Sequence, residues 1–125
     1  MRSYTVAVAS LVIEAPVKWT DNLISQHSLP EVVSQCRGVA RRISHPALVR
    51  LALIRQLHIG LGIGVAGAVQ IAASLLDPDG AAALGSGAIR LTFDHRALEG
   101  EIQARLAEVL ESAPTPRRGR PPRKQ

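Results

Sequence analysis

The chain has 125 residues, 46% of them hydrophobic, and a formal net charge of +5 at pH 7. This length suits one small domain with an appendage, and the single cysteine, Cys36, excludes an intrachain disulfide and a multi-cysteine zinc site. Because there is one Trp, one Tyr and one Phe, the core must consist of Ala, Val, Leu and Ile, which favours packed helices over a sandwich or barrel. A lone thiol and the lack of a secretory signal pattern predict a cytoplasmic protein.

Charge is distributed unevenly along the chain. Residues 1–60 hold seven basic and three acidic side chains, residues 61–113 hold three and seven, and residues 114–125 hold five and none. The balances of +4, −4 and +5 sum to the net +5. A basic first half and a basic tail predict two surfaces that face a polyanion.

Turn and capping residues predict two short helices at the start of the chain, after a lead of residues 1–4. Thr5 is placed to cap the first helix. Proline is tolerated in a first helical turn, so the second helix is expected over residues 16–27. Trp19 and Leu23 stand four residues apart and should face the core. Two short helices joined by a tight turn form a helix-turn-helix unit.

The next segment predicts a β-hairpin followed by a third helix. Residues 32–35 and 39–43 are β-prone and flank a turn in which Gly38 supplies the positive φ. Ser44 then caps the helix, with Pro46 in its first turn.

Five predictions cover the second half of the chain. Three glycines predict a loop over residues 58–64, and an apolar pattern predicts a fourth helix over residues 65–76. Residues 81–87 are expected to be a connector, and residues 88–93 alternate as a strand does. Asp94 is placed to cap the last helix.

This last helix carries an apolar stripe. A lone amphipathic helix after a lone strand has little to bury within its own chain, so we expect it to pair with a second copy in a homodimer. The predicted dimerisation residues are Ile89, Leu91, Phe93, Leu98, Ile102, Leu106 and Val109.

Residues 59–76 approach the length of a transmembrane helix, with only Gln70 and Ser74 polar. Their Gly and Ala content makes them weakly hydrophobic, and Asp77 follows at once. A buried helix is therefore the better interpretation, and we expect no membrane partner.

A family resemblance rests on residues 38–44, Gly-Val-Ala-Arg-Arg-Ile-Ser, and on the helices around them. This part of the chain resembles the MerR-like and excisionase-like winged helix-turn-helix in the order of its features. These are a Gly–x–x–Arg–x–x–Ser pattern, an apolar helix, a glycine-containing loop and a second apolar helix. The resemblance covers roughly residues 4–76. One departure is the first turn, Glu14-Ala15-Pro16, where the family pattern is centred on glycine.

The resemblance implies a DNA-binding domain whose second helix enters a major groove. The residues that would reach phosphates or base edges from this helix are Lys18, Asn22 and Gln26. Those that would lie on the wing, against the backbone or an adjacent minor groove, are Arg37, Arg41 and Arg42. The alternative for these positions is an ordinary solvated surface.

The tail carries a second nucleic-acid signal. Residues 116–124, Pro-Arg-Arg-Gly-Arg-Pro-Pro-Arg-Lys, resemble an AT-hook, whose Arg-Gly-Arg-Pro core is intact. A narrow, extended core of this kind fits the minor groove, where arginines meet the enhanced negative potential of A·T tracts. The alternative is a generic basic tail with non-specific phosphate affinity. The predicted contact residues are Arg117, Arg118, Gly119, Arg120, Pro121, Arg123 and Lys124.

We therefore expect a mainly α chain in three parts: a winged helix-turn-helix domain over residues 1–80, a strand–helix dimerisation extension over 81–113, and a disordered basic tail over 114–125. The expected function is a nucleoid-associated, DNA-binding transcriptional regulator whose partner is double-stranded DNA. No catalytic set, phosphate loop or metal-ligand spacing is found, so no enzyme, metal or cofactor is expected. The alternatives are an antitoxin-like module with a protein partner on its acidic face, a nucleoid-associated architectural protein and a membrane-associated adaptor.

Overall fold

A computed structural model of the chain describes residues 3–27, 29, 32–33, 42–77 and 83–112. These residues form mainly helices with two small antiparallel sheets, which confirms the predicted mainly α class. The helices are α1 (Val6–Ile13), α2 (Val17–His27), α3 (His45–Arg55), α4 (Val65–Leu75) and α5 (His95–Ser112), with a π-helical turn (Gln56–Gly60) after α3. The strands are β1 (Ser3–Tyr4), β2 (Val32–Val33), β3 (Arg42–Ser44), β4 (Ala83–Ser86) and β5 (Ile89–Thr92).

The first sheet joins the start of the chain to the segment before α3. Its central strand is β3, in which Ile43 lies opposite Tyr4 of β1 and Val32 of β2. The predicted hairpin is confirmed at its base, and its turn around Gly38 lies outside the described residues. The expectation that residues 1–4 only lead into α1 is wrong for β1, because the Tyr4 side chain is buried in the core and holds this strand against β3.

Side-chain caps begin three helices at the predicted residues. An oxygen of each capping side chain accepts a hydrogen bond from the backbone N–H three residues further on, at 3.2, 3.3 and 3.0 Å. Each contact satisfies one of the N–H groups that the first helical turn leaves unpaired. The three capping residues are Thr5, Ser44 and Asp94.

The loop predicted over residues 58–64 begins as helix, which corrects that expectation. The π-helical turn continues α3 because Leu57 is buried in the core, and the His58 ring Nδ1 lies 2.8 Å from the Ile63 carbonyl oxygen. The backbone changes direction at Gly62, where φ is +71°. Within the described part of the chain, no helix combines the length and the apolar content that a membrane span requires.

The second sheet is a hairpin that the sequence indicated only in part. β4 pairs with β5 in antiparallel register, with Ala83 opposite Thr92 and Ser86 opposite Ile89. The connector predicted over residues 81–87 is therefore wrong for β4. Three of the four residues of β4 are small, so its composition did not predict a strand. Gly87, at φ +63°, makes the tight turn that returns the chain.

Helix α5 packs on α1 and α3 of its own chain. Three residues of its apolar stripe are at most 5% exposed and belong to the same hydrophobic core as α1, α3 and α4: Leu98, Ile102 and Leu106. The premise that α5 has little to bury within its own chain is therefore wrong, because α1 and α3 offer it an apolar surface. These three side chains are not available to a second copy while α5 holds this position.

The other four predicted dimerisation residues divide into two groups. Leu91, Phe93 and Val109 are partly buried against the same core, whereas Ile89, on the hairpin, is 78% exposed. Helix α5 contributes to the core that α1, α3 and α4 form, and the domain boundary between residues 80 and 81 stays a prediction.

Candidate nucleic-acid interface

The turn between α1 and α2 places a non-glycine residue in the left-handed region. Glu14 has φ +58° and ψ +50°, in the left-handed region, and its backbone N–H caps α1 by donating to the Leu11 carbonyl. A non-glycine residue in this region is strained by roughly 1 kcal/mol. The Glu14 carbonyl accepts a hydrogen bond from Arg55 Nη2 at 3.1 Å, and its carboxylate pairs with Arg105. Side chains of α3 and α5 therefore hold this turn from two sides.

A buried polar contact joins α1 to α2. Ser10 Oγ donates to Thr20 Oγ1 at 2.8 Å, and Thr20 Oγ1 donates in turn to the Pro16 carbonyl at 3.4 Å. Ser10 and Thr20 are at most 1% exposed. Because a buried hydroxyl without a partner is costly, this contact favours one register of α2 against α1. The sequence patterns did not predict this contact, although a hydroxyl residue on the buried face of each helix was a signal for it.

One face of α2 is polar and exposed. It carries Lys18, Asn22 and Gln26, which stand four residues apart and so lie on the same side of the helix. None of these three side chains has a hydrogen bond or ion pair with another described residue. The opposite face is buried through Leu23 and Ile24. The structure thus brings together the three α2 residues predicted to contact DNA.

Trp19 faces the core, as predicted, and packs against it at the border with solvent. Its ring is half-buried, because Thr20 and Leu23 take the inward positions of this part of α2. The Arg55 guanidinium carbon lies 4.7 Å from the Trp19 ring centroid, and the His58 ring stacks on it with centroids 6.1 Å apart. A cation–π contact at such a site contributes about 0.5–1 kcal/mol. Trp19 therefore ties α2 to α3 and to the π-helical turn.

Arg42 is exposed on β3, and its guanidinium also secures β1. Its Nε and Nη2 lie 3.1 and 3.0 Å from Ser3 Oγ, and Nη2 also lies 3.3 Å from the Ser3 carbonyl oxygen. A guanidinium has five N–H donors, and among the described residues the contacts with Ser3 engage Nε and Nη2 but not Nη1. Two groups of predicted contacts lie outside the described residues: Arg37 and Arg41, and the tail residues Arg117, Arg118, Gly119, Arg120, Pro121, Arg123 and Lys124.

The electrostatics at the start of α2 favour an anion. Its first turn contains no acidic residue, so the partial positive charge of the helix N-terminus is not offset there. Lys18 lies in that same turn and adds a full positive charge. Backbone N–H groups and a lysine at one helix end are a common arrangement around phosphate.

A separate cleft of about 1010 Å³ opens beside α5. Its lining includes Glu14, Arg55 and Arg105, the residues that hold the α1–α2 turn. Most of the other lining residues are apolar, and the rest are carboxylates on α5 and neighbouring polar groups. Among the described residues, no three His, Cys, Asp or Glu side chains are placed to hold a metal ion.

Comparison of this chain with protein-family models, with curated proteins and with solved structures finds no match. Function is therefore inferred from the chemistry of the α2 surface, of the contacts that support it and of the basic segments of the chain.

Proposed function

We propose that this protein is a regulator of transcription that binds double-stranded DNA through a winged helix-turn-helix, with α2 in the major groove. The observation that carries the proposal is the exposed polar face of α2. Lys18, Asn22 and Gln26 share that face, have no polar partner within the described chain, and belong to a helix that a buried hydrogen bond and a braced turn hold in place.

The dimensions and chemistry of α2 suit this role. Eleven residues make a helix about 16 Å long, and the major groove of B-DNA, about 12 Å wide, admits an α-helix. Asn22 and Gln26 carry the amide groups that pair with the N6 and N7 atoms of adenine. Lys18, beside the positive helix end, suits a backbone phosphate.

The basic segments would supply affinity. In this proposal the strands β2 and β3 form the base of a wing, from which Arg37, Arg41 and Arg42 contact the phosphate backbone or minor groove. Residues 118–121 bind an A·T tract as an AT-hook. Phosphate contacts from wing and tail then provide most of the binding free energy, while α2 provides sequence preference.

Homodimer formation stays a prediction, and its interface would differ from the one expected from the sequence. The buried stripe of α5 is occupied, so a second copy would have to use exposed apolar side chains such as Ile89 and Leu110, which are 78% and 54% exposed.

The test is fluorescence anisotropy of the full-length protein with a preferred duplex selected from a random pool, and with unrelated duplexes, at two salt concentrations. Lys18→Ala should weaken binding to all duplexes and reduce the salt slope by about 0.9, the value for one phosphate contact. Asn22→Ala should cost roughly 1–3 kcal/mol on the preferred duplex only. Arg90→Ala, which removes an exposed positive charge from β5, is the matched control and should change little.

The tail is tested separately on A·T-rich DNA. Arg120 lies inside the AT-hook core and Arg123 outside it, so Arg120→Ala should weaken A·T-tract binding more than Arg123→Ala. Equal losses of binding in the two variants would show that these residues act as a generic basic tail and not as an AT-hook. If the intact protein does not bind duplex DNA at low salt, the proposed function is wrong.

A further inference from the structure

Three carboxylates recur at seven-residue intervals along the cleft: Asp94, Glu101 and Glu108. Seven residues are nearly two helical turns, so these groups lie on one side of α5, about 10.5 Å apart along its axis. Two exposed alanines that also line the cleft, Ala97 and Ala104, stand between them. Because alanine is small, an extended chain has room to lie against the helix between the charges.

The formal charge of the residues that line the cleft is negative. Four of its lining residues are acidic and two are basic, and both basic residues, Arg55 and Arg105, contact Glu14. Glu101 accepts a hydrogen bond from the Gln56 amide at 3.0 Å. That amide is neutral, so the contact leaves the charge of Glu101 in place.

The cleft lining also includes apolar side chains that are open to solvent. Ile59 and Leu61 are each 60% exposed, although both are large hydrophobic side chains, and Phe93 also lines the cleft. The cleft therefore offers regularly spaced negative charges beside an apolar surface. A ligand that fits must combine positive charges of similar spacing with apolar groups.

The last residues of the same chain have this composition. Arg117, Arg120 and Arg123 recur every three residues, and Pro121 and Pro122 lie between the last two. A polyproline II chain has three residues per turn and rises about 3.1 Å per residue, so these arginines would share one side, about 9.3 Å apart. This spacing matches the carboxylates to within the reach of an arginine side chain.

The lengths also agree. Helix α5 ends at Ser112, one turn beyond Glu108, so residues 113–116 are available to reverse the direction of the chain. From Arg117 to Arg123 an extended chain spans about 19 Å, and from Glu108 back to Asp94 the helix spans about 21 Å.

We propose that residues 114–125 bind back into the cleft, antiparallel to α5. In this arrangement Arg117 pairs with Glu108, Arg120 with Glu101 and Arg123 with Asp94. The two prolines pack on the apolar side chains of the cleft. The contact between tail and cleft does not depend on the proposed function, but the consequence of this contact rests on that function. A tail in the cleft is withheld from DNA, so the acidic helix limits the affinity of the protein for nucleic acid.

The direct test uses the full-length protein with Cys36→Ser and Gln125→Cys, so that a nitroxide at position 125 is the only label. Paramagnetic broadening of amide resonances should be strong for residues 91–97, at the start of α5, and weak for α2. The broadening should fall as salt is raised, because the ion pairs are exposed. Absent broadening, or broadening spread evenly over the protein, would overturn the proposal.

Two sets of variants establish which groups make the contact. Glu101→Gln with Glu108→Gln should lower the ratio of bound to free tail roughly three- to tenfold, as expected for two exposed ion pairs. Asp77→Asn with Glu111→Gln removes the same number of charges outside the stripe and should leave the ratio unchanged. Equal effects of the two pairs would contradict the proposal.

A second control changes spacing without changing charge. One glycine inserted between Gly119 and Arg120 keeps every arginine but breaks the three-residue interval. The insertion should reduce the broadening of residues 91–97. Unchanged broadening would show a non-specific attraction between tail and helix and would overturn the paired arrangement.

The regulatory consequence is measured separately by DNA binding at low salt. Glu101→Gln with Glu108→Gln should tighten binding about threefold relative to the matched pair Asp77→Asn with Glu111→Gln, because the tail is released. The two proposals can fail independently. Label broadening without DNA binding would refute the proposed function alone, and DNA binding without broadening would refute the tail contact alone.

Discussion

The hydrogen bond between Ser10 and Thr20 allows a direct test of how α2 is held against α1. The two hydroxyls lie 2.8 Å apart at positions that are 1% and 0% exposed. Thr20→Val preserves the shape of the side chain but leaves the Ser10 hydroxyl without its acceptor and the Pro16 carbonyl without its second donor. A buried polar group left unpaired costs about 1–3 kcal/mol. We therefore expect Thr20→Val to lower the free energy of unfolding by about 2 kcal/mol.

The partner substitution should be milder. In Ser10→Ala, Thr20 Oγ1 still donates to the Pro16 carbonyl, so only one accepted hydrogen bond is lost, at a cost of about 1 kcal/mol. Replacing both residues leaves no buried hydroxyl unpaired. The double variant should therefore be about 1 kcal/mol more stable than the sum of the single losses predicts.

Urea unfolding followed by the fluorescence of Trp19, the only tryptophan, measures these differences on the helix concerned. With an m-value of about 1–3 kcal/mol per M, a loss of 2 kcal/mol moves the midpoint by roughly 1 M while m stays constant. Strictly additive losses in the double variant would mean that no bond joins the two side chains, and the account of how α2 is positioned would be refuted.

Three further substitutions test other parts of the fold by the same urea titration. Glu14→Gly should be more stable than Glu14→Ala by about 1 kcal/mol, because both lose the ion pair but only glycine accepts the left-handed φ; equal stabilities would argue against that turn. Ile102→Ala should cost about 2–5 kcal/mol, whereas Leu110→Ala, on the exposed side of α5, should change stability by less than about 0.5 kcal/mol. A small loss at Ile102 would mean that α5 does not pack on its own chain. Asp94→Ala should cost about 1 kcal/mol through loss of the helix cap, and an unchanged midpoint would rule out the cap.

Local signals in the sequence were enough for much of the fold. Thr5, Ser44 and Asp94 all cap helices as predicted, because a cap depends only on a short side chain and a backbone N–H three residues away. The polar face of α2 also followed from spacing, since residues four apart share a helix face whatever surrounds them. The wing turn with Arg37 and Arg41, and the tail contacts, lie outside the described residues and stay predictions.

Contacts between distant segments were not predictable in this way. β1 has two residues, too few for a periodic pattern, and exists because β3, far along the chain, pairs with it. Three of the four residues of β4 are small, and pairing with β5, not its own composition, makes it a strand. The α5 stripe was visible in the sequence, but an apolar stripe does not specify whether a second copy or the chain itself covers it.

The sequence alone therefore determined where helices begin, which face of α2 is polar and where positive charge is concentrated, because these properties depend on residues within a few positions of one another. Only the tertiary structure decided that α5 completes the core of its own chain, and that its position beside α1 and α3 leaves a cleft lined by evenly spaced carboxylates. It also decided that Arg55 and Arg105 brace the turn before α2. The physical reason is that each of these features joins side chains from separate elements, and packing of the whole chain sets their distances.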